Sequence, residues 1–210
     1  MIFSHNLHNK VKKKGVIIMA KAEYKSAIRS RKLIRTAFVE LMQEKDTDKI
    51  TVTDIVKRAD INRGTFYAHY SDTHAVLEQI ENEFLQHILE ILDDSNYETF
   101  IQNPYPVFQK LTAYLEKDVE LYHLLVKAKK STHFLYELKE IFIEHIIKSF
   151  PIKESEKSNP SFLAAIHFYA GGIVITYYDW FDDNLKMSLT ELTQMISSFI
   201  KKGCDMYLHS

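Results

Sequence analysis

A chain of 210 residues, 46% hydrophobic and 26% charged, is long enough for one large domain or two small ones, and five Gly with four Pro favour long unbroken helices. Its single cysteine, Cys204, excludes an internal disulfide and fits a reducing cytoplasm. The formal net charge of −1 names no partner, but residues 1–70 hold 15 Lys+Arg against 7 Asp+Glu while residues 71–210 hold 12 against 21. A basic head that meets a polyanion and an acidic body that does not would carry charge in this way.

Residues 1–18 are polar and basic and lack periodicity, and Met19-Ala20-Lys21 reads as a second start. Lys13-Lys14-Gly15 fits a purine-rich, ribosome-binding-site-like coding run. The expectation is upstream sequence or a flexible tail over 1–20, with a basic arm on DNA phosphates as the alternative. "GVIIMA" is too short for the apolar core of a secretory signal.

From 24 to 44, Ile34, Ala37, Phe38 and Leu41 fall at i, i+3, i+4, i+7, with Arg29, Arg31, Lys32 and Arg35 on the other side. This predicts an amphipathic helix with a basic N-terminal half. "KDTDK" breaks it. Thr51 and Asp54 then have the [ST]-x-x-[DE] spacing of a capping box, and Val52, Ile55, Val56 and Ala59 predict a short helix over 52–59. Asp60-Ile61 makes a tight turn, and Asn62 caps a second short helix over 63–70, with Phe66 and Tyr70 on its inner face. Ser71 and Asp72 open another, running through Leu77, Ile80, Phe84, Ile88 and Leu92. Two short helices joined by about three residues, after a longer one, form the helix-turn-helix pattern.

That pattern assigns chemistry to "RGTFYAH". Gly64 removes a side chain where a recognition helix approaches DNA. Arg63 can pair with guanine, and Thr65 or Ala68 can meet a thymine methyl. Tyr67 and His69 suit phosphates, as do Thr51, Thr53, Arg29 and Arg35 from neighbouring elements. The sequence thus predicts a head over 21–71 and a body over 72–210.

Beyond 93 the breaks "DDSN" and "NPYP" precede predicted helices over 106–116, 118–128, 132–149, 161–182 and 188–208, with 153–160 the longest loop. The uncharged run 161–178 approaches membrane-spanning length, but His167, three Tyr and a Gly pair favour a buried helix. Aromatic and polar residues of the body, Tyr114, Tyr122, His123, His167, Tyr177 and Trp180, are candidate ligand contacts, because buried polar groups such as His123 and His167 need partners. Ala170-Gly171-Gly172 suggests close helix approach, so a homodimer is expected through 161–182 and 188–208.

The ten histidines show neither HxxxH nor CxxC companions, so no metal and no cofactor is expected. No phosphate loop, nucleophile elbow or acid/base pair points to an enzyme.

"TVTDIVKRADINRGTFYAHYSDTHAVL", residues 51–77, resembles the DNA-binding signature of the tetracycline-repressor (TetR) family, with Gly64, Thr65, Tyr67, His69 and Tyr70 in register. Asp60 stands at the family's usual turn glycine, Thr73 at its usual lysine and His74 at its acidic position. Residues around "NPYPVFQKLTAYLEKDVELYHLLV" and "FYAGGIVITYYDWF" are similar to regulators related to the dihydroxyacetone-kinase operon activator. The resemblance implies an all-α transcriptional regulator, with an N-terminal helix-turn-helix head and a larger helical body that dimerises through its last two long helices. A small-molecule effector in that body, operator DNA and a cytoplasmic setting are the expected partners and place. The alternative is a helical DNA-binding protein controlled by a protein partner or acting structurally on DNA. Repression or activation would depend on where the operator lies relative to the promoter.

Overall fold

The computed structural model describes residues 24–128, 132–149 and 151–208; the expectations for residues 1–20 lie outside them. The described residues are helical and contain no strand. They divide into two compact units, one ending at Ile80 and the other beginning at Glu81.

The first unit holds α1 (24–44), a 3₁₀ turn at Thr47–Lys49, α2 (Val52–Arg58), α3 (Arg63–Tyr67) and the first turns of α4 (Thr73–Asp93). Ile34, Ala37, Phe38 and Leu41 are all buried, as their spacing predicts. They meet Ile50, Ile55, Phe66, Val76 and Ile80 in one small core. Arg58 braces α2 on α1 through Glu44 at 2.7 Å and Glu40 at 3.4 Å. Both acidic partners are exposed, so these pairs set orientation more than stability.

The second unit continues α4 and adds α5 (Tyr97–Gln102), α6 (Tyr105–Leu115), α7 (Val119–Ala128), α8 (Thr132–Ser149), α9 (Glu154–Lys157), α10 (Pro160–Phe181) and α11 (Leu189–Leu208). Two short helices join the predicted ones: α9 stands where the sequence reads as loop, and α5 in a stretch between two breaks to which the sequence assigns no element. Asn96 starts α5 by accepting the Thr99 amide at 3.2 Å, but neither helix is long enough to display a 3.6-residue period.

α10 packs on α8, and α11 packs on α6 and α5. Asn159 caps α10 through the Ser161 and Phe162 amides, with Pro160 pre-set in the first turn. Ser188 and Glu191 form a reciprocal capping box at the start of α11. Trp180 donates its indole N–H to the Met187 carbonyl at 2.7 Å and so closes the turn between these two helices.

By length and composition α10 could cross a membrane, yet only one stripe of it, Ile166, Ala170, Val174, Tyr177 and Phe181, is buried within the chain. The helix expected to be buried has one inward stripe, and its opposite face is open, with Phe168 73% and Ile175 48% exposed, on a segment expected to dimerise. His167 belongs to that open side and is exposed, not buried, because it turns away from the inward stripe.

Candidate nucleic-acid interface and buried cavity

Local chemistry builds the α2–α3 unit. Thr51 accepts the Asp54 amide at 3.2 Å, and Asp54 accepts the Thr51 amide at 2.9 Å. Lys45, 2.7 Å away, together with the Thr51 hydroxyl and amide, holds the Asp54 carboxyl well below the usual carboxylate range. The turn that follows puts Asp60 at φ 51°, the left-handed region, which Asp tolerates better than most residues. Asn62 then accepts the Thr65 amide at 2.8 Å and starts α3.

Phe66 sets the rotation of α3. It is completely buried, its ring edge-on to Tyr67 with centroids 5.5 Å apart. With that face inward, Arg63, Gly64, Tyr67 and Ala68 are exposed and Thr65 and His69 half-buried. Arg63 donates from Nη2 to the Thr53 hydroxyl at 2.7 Å, so the structure joins two residues that sequence reasoning had placed on separate helices. A Cβ on Gly64 would meet Asn62 Oδ1 at 3.2 Å, a tight contact that gives this glycine a role in the cap as well. Thr51 and Arg29 are exposed and Arg35 half-buried. Tyr70, buried after α3, donates to Gln79 of α4 at 2.6 Å, and Asp72 accepts the Ala75 amide at 2.8 Å at the start of α4.

The second unit holds a cavity of about 450 Å³ that opens to solvent, within the range of about 300–1,000 Å³ common to small-molecule sites. Its walls come from α4, α5, α6, α8, α10 and α11, and Ile, Leu and Phe side chains dominate them. A smaller void of about 60 Å³ adjoins it and shares Ile88, Leu111, Phe142 and Ile173.

The six sequence candidates fall elsewhere. Tyr122 and Tyr177 border the small void. Tyr114 stacks on His87 at 4.9 Å, His123 faces Asp183 at 3.5 Å, and Trp180 is committed to Met187. Tyr177 also lies 3.4 Å from the Thr193 hydroxyl, which hydrogen-bonds Thr112 in the core. The polar residues that line the large cavity, including Ser95, Tyr97, His145 and Lys153, escaped sequence reasoning. No local signal marks them, because the register of several distant helices brings them together.

His145 lies 3.3 Å from Asp93 and 3.4 Å from Ser149. Burial pushes its imidazole below the ordinary value of 6.5, and Asp93 only partly opposes this. As pH falls through that ordinary value the unfolded chain takes the proton first. Stability therefore declines in this window and levels once the folded imidazole also protonates. His145→Gln should flatten the decline, read as the change in urea midpoint between about pH 7.5 and about pH 5.5.

A capped two-helix unit with Arg63 and Tyr67 exposed over a buried anchor, joined to a helical body, has the form of a helix-turn-helix transcriptional regulator. Residues 34–80 match the family of bacterial regulatory proteins, tetR family, and residues 102–202 match a transcriptional regulator C-terminal region. The chain belongs to the TetR family, and the families and relatives it matches are regulators of transcription, not enzymes.

It is 39% identical over 57 residues to YvdT, an uncharacterized HTH-type regulator of Bacillus subtilis, covering 27% of this chain and 29% of that one. It is 38% identical over 74 residues to DhaS, the dhaKLM operon activator of Lactococcus lactis, covering 35% and 38%. The chain thus spans well under half the length of these relatives. The solved structure of a putative TetR-family regulator from Syntrophomonas wolfei superposes with a TM-score of 0.66 at 20% identity, over 84% of this chain and 95% of that one. A solved dihydroxyacetone kinase operon activator DhaS gives 0.59 at 19% identity, over 84% and 97%. These structures share the fold.

Proposed function

We propose that this protein is a cytoplasmic, homodimeric, sequence-specific regulator that binds double-stranded operator DNA and is controlled by a small molecule held in its C-terminal body. The head over 21–71, preceded by the tail 1–20, reads DNA, and the body over 72–210 carries dimerisation and control. The observation that carries this reading is the outward row of α3 over buried Phe66. Arg63, Thr65 and Ala68 face base edges across Gly64. Tyr67, His69, Thr51, Thr53, Arg29 and Arg35 hold phosphates and so fix register without reading sequence.

The open face of α10 and α11 supports the dimer. Phe168, Ile175 and Phe199 are 73%, 48% and 56% exposed, and Phe168 and Phe199 line a groove with Gly172 and Thr176. Among the described residues, beyond its chain neighbours and the backbone of its own helix, nothing lies within 4 Å of a Cβ built on Gly171 or Gly172. Each glycine inside a helix costs roughly 0.5–1 kcal/mol relative to Ala, and close approach by a partner helix would supply the reason that one chain alone lacks. Gly172→Leu improves helix propensity yet blocks that approach. It should leave the chain folded and weaken self-association in sedimentation at micromolar concentration. A wild-type chain that sediments as a monomer there would sink the dimer.

Control follows from linkage. A ligand that prefers one separation of the two heads shifts DNA affinity by its differential affinity for the two states. The large cavity favours a small-molecule effector over the alternative of a protein partner, which a body packed solid would support. The test is a DNA titration with and without the bound effector.

A further inference from the structure

The cavity has two unlike ends, and helix direction fixes which is which. Along α4 the lining runs from Ile88 to Ser95; along α8 it runs from Phe142 through His145 to the following Lys153; along α11 it runs from Ile200 to Cys204. α10 runs the other way, from Phe162 to Ile173. Ile88, Phe142, Ile173 and Ile200 therefore gather at one end, and Ser95, Tyr97, His145, Lys153 and Cys204 at the other.

The apolar end does not stop at its own wall. Ile88, Leu111, Phe142 and Ile173 also border the small void, whose further lining includes Leu115, Leu125, Phe134 and Val174. Shifting these side chains would lengthen the space along the same direction.

Charge at the polar end is restricted. Among the described residues no Asp or Glu lines the cavity, and Lys153 is the one Lys or Arg that does. Lys153 is exposed, so this end is the rim, where an ammonium stays wet while its stem packs inward. Burial lowers the His145 pKa and raises those of Tyr97 and Cys204, which keeps all three neutral near pH 7. They offer hydrogen bonds and no charge.

We infer that the cavity takes an elongated apolar monocarboxylate of the fatty-acid class, its chain toward Phe142 and Ile173 and its carboxylate at the rim beside Lys153. This rests on the effector reading and specifies it. Among the described lining residues a cationic ligand would find no carboxylate, Asp93 being paired with His145 at 3.3 Å outside the lining, and a polyanion would find one positive charge for several negative ones. A sugar would leave hydroxyls without partners along the apolar walls.

Calorimetric titration of the full chain with sodium decanoate, 1-decanol and decyltrimethylammonium tests it. Decanoate should saturate at one site per chain, about fivefold tighter than decanol, a factor that a partly exposed ion pair supplies. Decyltrimethylammonium should bind more weakly than either. Lys153→Met should remove the preference for decanoate while leaving decanol binding in place. Ala165→Phe or Ile146→Phe, whichever keeps the wild-type circular dichroism, should weaken both decanoate and decanol by filling the cavity. The inference is overturned by non-saturating or absent decanoate binding, by equal or tighter binding of the cation, by a decanoate preference that survives Lys153→Met, or by binding untouched in the folded cavity-filling variant. The regulatory reading fails separately: saturable decanoate binding that leaves DNA affinity unchanged keeps the ligand class and removes the control.

Discussion

Phe66→Ala should cost the head about 3–5 kcal/mol, the usual loss for truncating a buried Phe, and should leave it largely unfolded. The ring is fully buried, and it touches Tyr67 and Tyr70 with centroids 5.5 and 5.9 Å away. The core it joins is small, so few other contacts can hold α3 once it is gone. Circular dichroism and urea unfolding should report a loss of helix and of stability. DNA binding should fall on every sequence tested, as a consequence of unfolding. A variant that keeps its helix content and urea midpoint would mean that Phe66 is not the anchor of α3.

Arg63→Ala should behave in the opposite way. Arg63 is exposed, and its side chain donates to the exposed Thr53 hydroxyl at 2.7 Å, so removing it should leave the head folded. On the preferred operator it should cost about 1–3 kcal/mol and relax selectivity at the base pair that the guanidinium reads. Thr53 holds that guanidinium before DNA arrives, which reduces the ordering left to do on binding. Tyr67→Phe supplies the contrast. It should weaken binding to all sequences alike, since a phosphate contact carries no sequence information. Titration against a panel of single-base operator variants separates the two. If folded Arg63→Ala keeps both affinity and selectivity, α3 does not read the groove through Arg63.

The head was legible in the sequence because its determinants are local. The Thr51–Asp54 capping box, the Asn62 cap and the left-handed Asp60 each involve residues within four positions of one another, and all three are present. The inward stripe of α1 and the anchor Phe66 follow from a period that a single helix displays. In the body the long helices could be read, but not the short α5 and α9 or the space the helices line. Tyr114, His123 and Trp180 look like pocket residues by type, yet each is engaged by another part of the unit. The large cavity is instead lined by residues on six helices and their connections, from Ile88 to Cys204, and no window of sequence contains that arrangement. α10 shows the same limit. Its composition reads as a buried helix but does not say what covers each side, and in the single chain one face is covered and the other is open.

Selection of duplexes from a random pool by the full chain, run beside the Arg63→Ala variant, tests the central claim most directly. The reading predicts enrichment of a two-fold symmetric site, its half-sites separated by about one helical turn or a multiple of it, as a symmetric pair of recognition helices requires. In the variant, enrichment should persist at lower affinity and lose one base pair's preference in each half-site. Retention of DNA with no sequence enriched, or an enriched sequence that Arg63→Ala leaves unchanged, would contradict it.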